Sequence, residues 1–140
     1  MKLLETIENL VKQSCPGYGF EFETDRMMNV NADDCPFPCV FFEEYTDGRI
    51  SFGNYGMAQK TVTVELSFMD NAEFQCDAVD RERIRERIEE EAVIPFLRTL
   101  ESSQEFVSHS DYTIMAEPPR FDDNCVSLLL RFDVTYNLCI

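Results

Sequence analysis

The chain has no tryptophan, one histidine, only twelve lysines and arginines, and no long apolar run. Each shortage removes a class of function. With one histidine, any Ser–His or Cys–His nucleophile pair would have to use His109. That residue sits in a serine-rich stretch that reads as a surface loop, so no catalytic residue is expected. Twelve basic residues stand against 27 acidic ones, for a net charge of −15. Binding along DNA or RNA requires phosphate neutralisation by Lys and Arg, so direct nucleic-acid binding is not expected. An anionic membrane surface is disfavoured for the same reason. No apolar stretch approaches the roughly 20 residues that span a bilayer. Glu5 and Glu8 interrupt the N-terminal apolar pattern, which does not read as a signal peptide, and a cytosolic setting is expected.

Metal and nucleotide motifs are also missing. No GxGxxG or P-loop occurs, and Gly53-Asn54-Tyr55-Gly56 has no Lys-Ser/Thr after it. Six cysteines (Cys15, Cys35, Cys39, Cys76, Cys125, Cys139) could form three disulfides, but free thiols are the better default in a reducing compartment. Zinc at Cys35-Pro-Phe-Pro-Cys39 would need two more ligands, and no second close cysteine pair exists. Asp70-Asn71 and Asp122-Asp123-Asn124 lack the alternating calcium-loop pattern, and turn chemistry explains them. No metal and no cofactor are expected.

What is present is periodicity. From Val126 to Leu138 apolar residues fall on one parity; Ser127, Arg131, Asp133, Thr135 and Asn137 fall on the other, with Leu129 the intruder. A period of two predicts a long strand with one buried face. Cys125 and Cys139 share the outward parity, which places neither in a simple core. Val62, Val64, Leu66 and Phe68 alternate with Thr61, Thr63, Glu65 and Ser67 in a second strong strand. Leu3, Leu4, Ile7, Leu10 and Val11 form a helical stripe that Cys15-Pro16-Gly17 ends. Ile84, Ile88, Ala92, Phe96 and Leu100 mark a second helix from about Val79 to Leu100, with Asp80 its candidate N-cap. Pro95 should kink it near Glu91. Arg85–Glu89 and Arg87–Glu91 would pair along its outer face.

Weaker strands are expected at 18–23, at 39–46 and at 112–116, the last forming a hairpin with the final strand. Asn29 to Pro38 reads as a loop. Asp47-Gly48 is a hairpin-type turn signal from which Arg49 to Phe52 would return. The result is one α+β domain over residues 1–140, in the order α-β-β-β-β-α-β-β. Its sheet is mostly antiparallel, with the N-terminal and the central amphipathic helix packed on one face. Val62, Leu66 and Phe68 should meet Ile84, Ile88, Phe96 and Leu130 in a common core.

This order, with the segments PCVFFEEYTDGR, KTVTVELSFMD, IPFLRTL and LLLRFDVTYNL, resembles the tail-terminator and head–tail joining proteins of long-tailed bacteriophages and prophages. The resemblance implies a non-enzymatic structural protein that forms a ring, commonly hexameric, at the end of a tail tube. It implies further copies of the chain and tail-tube or head-connector proteins as partners, in the virion or the cytoplasm of a bacterial host. Function would then reside in surfaces. Gly53, Asn54, Tyr55 and Gly56, with Arg131, Asp133 and Thr135 on the last strand, are the candidate interaction residues, extending sheets between subunits. The alternative is a small acidic cytosolic module, adaptor-like, that meets a basic partner.

Overall fold

The two strongest alternations pair with one another. Strand β4 (Ala58–Asn71) and strand β7 (Cys125–Asn137) run antiparallel over their full lengths, from Gln59 opposite Asn137 to Asn71 opposite Cys125. The structure, a computed structural model, describes residues 2–23, 38–43, 47–53, 56–71, 77–117 and 125–138. The Asn29–Pro38 loop lies outside these but for Pro38, as do Cys35, Cys76, Cys139 and residues 122–124. Around the β4–β7 pair stand β1 (Gly19–Glu23), β2 (Cys39–Glu43), β3 (Gly48–Phe52), β5 (Ser108–His109) and β6 (Thr113–Ala116). The sheet order is β1-β2-β4-β7-β5, with β3 also on β4 and β6 also on β7. The fold is α+β with a mostly antiparallel sheet, as the sequence predicts. Two details differ: β1 joins β2 in parallel, and the short β5 adds a strand.

Helix α1 (Leu3–Ser14) buries Leu3, Ile7, Leu10 and Val11 and ends where the Cys15 N–H donates to the Val11 carbonyl at 2.8 Å. Helix α2 is α-helical over Ala78–Ile88, widens into a π-helical turn over Glu89–Val93, and is α-helical again over Ile94–Ser102. Its N-cap is Asp77, not Asp80. The Asp77 carboxylate accepts the Asp80 N–H at 2.8 Å, so Asp80 occupies the first turn. The predicted proline kink takes the form of the π turn: the Ile94 N–H, immediately before Pro95, donates to the Glu89 carbonyl five residues back. Spacing explains why this suits the core. Residues four apart advance about 40° per step around an α-helix of about 3.6 residues per turn. One widened turn takes up that drift, and Ile88, Ala92, Phe96 and Leu100 are all buried. Arg85 pairs with Glu82 at 3.1 Å and Arg87 with Asp70 at 2.6 Å, rather than with Glu89 and Glu91. The second pair ties α2 to the end of β4.

Both helices cover one face of the sheet. The core there unites Val62, Val64, Leu66 and Phe68 of β4, Leu128, Leu130, Phe132 and Val134 of β7, and the buried stripes of α1 and α2, with Ile84 packed against it. Phe96 lies at its centre, with ring centroids 6.0 Å from Phe68 and 6.3 Å from Phe132. The predicted common core is therefore present.

The other face is divided. At one end Cys39, Phe41, Met69 and Cys125 form a second buried cluster, and Ser67 and Ser127 are buried as well. Cys125 is thus a core residue, against the expectation from its parity. That expectation assumed a sheet covered on one side, whereas this end is covered on both.

The hairpin signals are also placed differently. Asp47-Gly48 does not turn β2 back on itself. β2 pairs with Glu65–Met69 of β4 and β3 with Ala58–Val62 of the same strand, so β2 and β3 lie end to end on one side of β4. The true hairpin is β3–β4. Its loop closes with the Gly53 N–H on the Met57 carbonyl at 2.8 Å and the Gly56 N–H on the Gly53 carbonyl at 3.2 Å. Gly56 has φ +74°, a backbone that a side chain would strain.

Candidate interaction surface

Three sets of side chains outside the main core invite a functional reading. The first is a polar ladder on the sheet face away from the helices. Gln59 donates to Asn137 at 3.2 Å, Thr61 and Thr135 share a hydrogen bond at 2.8 Å, Thr63 donates to Asp133 at 2.6 Å, and Arg131 meets Glu65 at 3.2 Å. Directly opposed residues on neighbouring strands make such pairs, each contributing on the order of 0.2–1 kcal/mol. Arg131, Asp133 and Thr135 therefore lie together on one face. Thr135 stands one face-neighbour from the Gln59–Asn137 pair at the base of the β3–β4 hairpin. β7 is not an edge, however: β4 flanks it on one side, and β5 and β6 on the other. Ser110 closes the contact further, its backbone N–H donating to the Asp133 carbonyl at 2.9 Å and its hydroxyl accepting the Asp133 N–H at 2.8 Å. These three residues can offer a face to a partner but not a free strand edge.

The second set is the β3–β4 hairpin. Every residue of β3 is exposed, and its apolar side chains are among the most exposed on the molecule: Ile50 62%, Phe52 74%, and Met57 beside them 51%. Ile50 pairs opposite Lys60 and Phe52 opposite Ala58, the parity of Val62 and the helix-covered core. The pattern is that of a buried strand, but among the described residues no helix reaches this far along β4. Among those residues β3 also pairs only with β4, so its outer edge keeps unpaired backbone groups, a template for strand addition. Of the candidate loop residues, Gly53 and Gly56 are exposed in the turn, and Asn54 and Tyr55 lie outside the described residues. Sequence reasoning marked the turn and missed Ile50, Phe52 and Met57.

The third set surrounds the histidine. His109 lies on β5, its ring stacked on Tyr112 at 5.3 Å, with Nε2 3.3 Å from the Glu101 carboxylate. The Tyr112 hydroxyl donates to the same carboxylate oxygen at 2.6 Å. Burial, then this hydrogen bond and the negative charge of Glu101, push the Tyr112 phenol well above its ordinary value. Through Glu101 Oε1, His109 and Tyr112 tie the end of α2 to the β5–β6 segment, and no described cysteine or serine hydroxyl is hydrogen-bonded to the imidazole. This arrangement serves as a structural clamp.

Elsewhere, Tyr18 is pushed up to about 12, by burial first and then by Asp70 and Glu91. Burial likewise raises the Cys15 thiol, against its hydrogen bond with the Ser14 hydroxyl. Among the described residues no group of three or more His, Cys, Asp or Glu side chains could hold a metal ion. Cys39, half of the candidate zinc pair, is buried in the second cluster. No described helix is long and apolar enough to cross a membrane. No protein-family model matches the chain, and no curated protein matches it.

Proposed function

We propose that this chain is a non-enzymatic structural protein of a phage or prophage tail, assembling into a ring that terminates or joins the tail tube. The observation that carries the reading is the β3–β4 hairpin, with an outer strand edge that no other described strand pairs and Ile50, Phe52 and Met57 turned to solvent. Exposed apolar clusters rimmed by polar residues mark association surfaces. The resemblance of element order and of the quoted segments supplies the kind of assembly.

The charge supports the same reading. DNA must pass such a ring without sticking, and a net −15 per subunit repels phosphate. Partners are then other copies of the chain and tail-tube or head-connector proteins, in the virion or the host cytoplasm. Function lies in faces and edges, and no cofactor takes part.

Electron microscopy of the concentrated, purified chain tests the proposal. Annular particles with an open centre are the expected result. Particles of single-chain size at every concentration, with none recruited to tail tubes, would favour the acidic binding module instead.

A further inference from the structure

The exposed hairpin has a counterpart elsewhere on the same molecule. A cleft of about 200 Å³ runs between α2 and β6. Its apolar floor is Ile114, Ala116 and Leu128, and its wall carries Glu82, Glu86 and Glu89. Arg85 is also present, but Glu82 already holds its guanidinium at 3.1 Å, so the wall keeps a negative excess. Small-molecule sites occupy roughly 300–1,000 Å³, so the cleft suits one or two apolar side chains better than a cofactor. Ile114 on its floor is 40% exposed.

The hairpin matches this cleft in both properties. It offers Ile50, Phe52 and Met57. It is also free of acid in an otherwise acidic chain: between Gly48 and Val64 there are two basic residues, Arg49 and Lys60, and no Asp or Glu. Complementary charge selects a partner face, and apolar insertion holds it.

The hairpin cannot fill the cleft of its own chain. Phe52 lies beside Ala58, whereas Ala116 lies beside Leu128, which stands opposite Phe68. From Ala58 to Phe68 along β4 is about 33 Å, and three strand spacings separate the two sites laterally. The two patches share the helix-bearing face but lie at opposite ends of the β4–β7 pair and flank it laterally, one beside β4 and the other beside β7.

We infer that the β3–β4 hairpin of one copy docks in the α2–β6 cleft of the next, a head-to-tail contact between two different patches. Contacts of this kind close into rings or continue as filaments, and do not stop at a two-fold dimer. The inference deepens the ring reading and rests on it for self-association, but it names the surfaces that the ring reading leaves open.

Two variants test it, Phe52→Gln and Ile114→Gln, both neutral changes that leave the net charge alone. Sedimentation is followed at concentrations where the unaltered chain associates. Each variant alone should associate at least tenfold more weakly. An equimolar mixture should form a 1:1 dimer and no larger species, because one intact hairpin and one intact cleft remain on different chains. A photoreactive phenylalanine analogue at position 52 should cross-link to residues 82–89 or 114–116 of another copy. Melting curves of both variants should match the parent, so that loss of association is not loss of fold. Association of Phe52→Gln equal to the parent's, a mixture that stays monomeric, or cross-links mapping elsewhere would each overturn the docking inference. Annular particles persisting in Phe52→Gln would leave the ring reading standing while this one fails. An unaltered chain that remains monomeric at about 1 mM would overturn the docking inference outright.

Discussion

Replacing Phe96 by alanine tests the packing most sharply. Its side chain is fully buried at the meeting point of α2, β4 and β7, and it touches Phe68 edge-on and Phe132 at a tilt. Phe→Ala in a core costs about 3–5 kcal/mol, combining lost transfer energy with the cavity left behind. Each aromatic pair adds about 0.5–1.5 kcal/mol beyond area burial, which places this site in the upper half of that range. Domains of this size are stable by about 5–15 kcal/mol, so roughly a quarter or more of the total is at stake. At about 3 °C per kcal/mol, the melting temperature should fall by about 10–15 °C. Calorimetry or far-UV circular dichroism reads the change directly. The control is Phe52→Ala, at a side chain 74% exposed, which should move stability by no more than about 0.5 kcal/mol. A Phe96→Ala melting temperature within about 2 °C of the parent would refute the core described here.

Asp77→Ala should cost about 1 kcal/mol by denaturant titration, because it removes a made cap, while Asp80→Ala should cost less; the reverse order would put the cap where the sequence alone suggested. Burial raises the Tyr18 and Tyr112 phenols, so both stay protonated in the folded chain at a pH where unfolded tyrosine ionises. Stability from these groups is whole below pH about 10 and declines as pH climbs towards the folded values. A spectrophotometric titration near 295 nm should show at least two tyrosines, Tyr18 and Tyr112, ionising late or only on unfolding, and five uniform ionisations near pH 10 would contradict it. No DNA affinity is expected by gel shift at micromolar protein in ~0.15 M salt, since an excess of 15 acidic groups gains nothing from counterion release; a clear shift would count against the charge argument.

Much of the fold was legible because β4, β7 and α1 each carry their own period. The apolar parity of Val62–Phe68 and Val126–Tyr136 is buried throughout, while the opposite parity is wet only over Thr61–Glu65 and Arg131–Asn137, because Ser67, Ser127 and Leu129 are buried too. What failed was partnership. Asp47-Gly48 and Gly53–Gly56 are both good turn chemistry, and local chemistry does not say which of two turns closes a hairpin. Only the register, with β2 and β3 end to end along β4, decides it. The parallel β1–β2 pair has no tight turn to announce it. The parity of Cys125 misled for a related reason, because a strand covered on both faces at one end alternates only at the other.

The four-residue spacing of Ile84, Ile88, Ala92, Phe96 and Leu100 reads as a helical stripe, and Pro95 as a kink near Glu91. That the irregularity is a π turn over Glu89–Val93 was not read, although the drift of that spacing around an unmodified α-helix carries the signal. The interaction surface was half legible. Gly53 and Gly56 mark the turn, whereas Ile50 and Phe52 alternate as core residues do, and exposure cannot be read from the pattern. Arg131, Asp133 and Thr135 do share the face away from the helices, Arg131 exposed and the other two half-buried, but their strand edge is taken by β5 and β6.

Light scattering of the full chain across protein concentration and salt tests the proposed self-association most directly. Each added subunit brings a further −15, and salt screens that repulsion over a length of about 10 Å at 0.1 M. Mass should therefore rise with protein concentration, and rise further as salt is added. A mass fixed at that of one chain up to about 1 mM, at low and high salt alike and with no tail tube able to recruit it, would contradict the ring and favour the binding module.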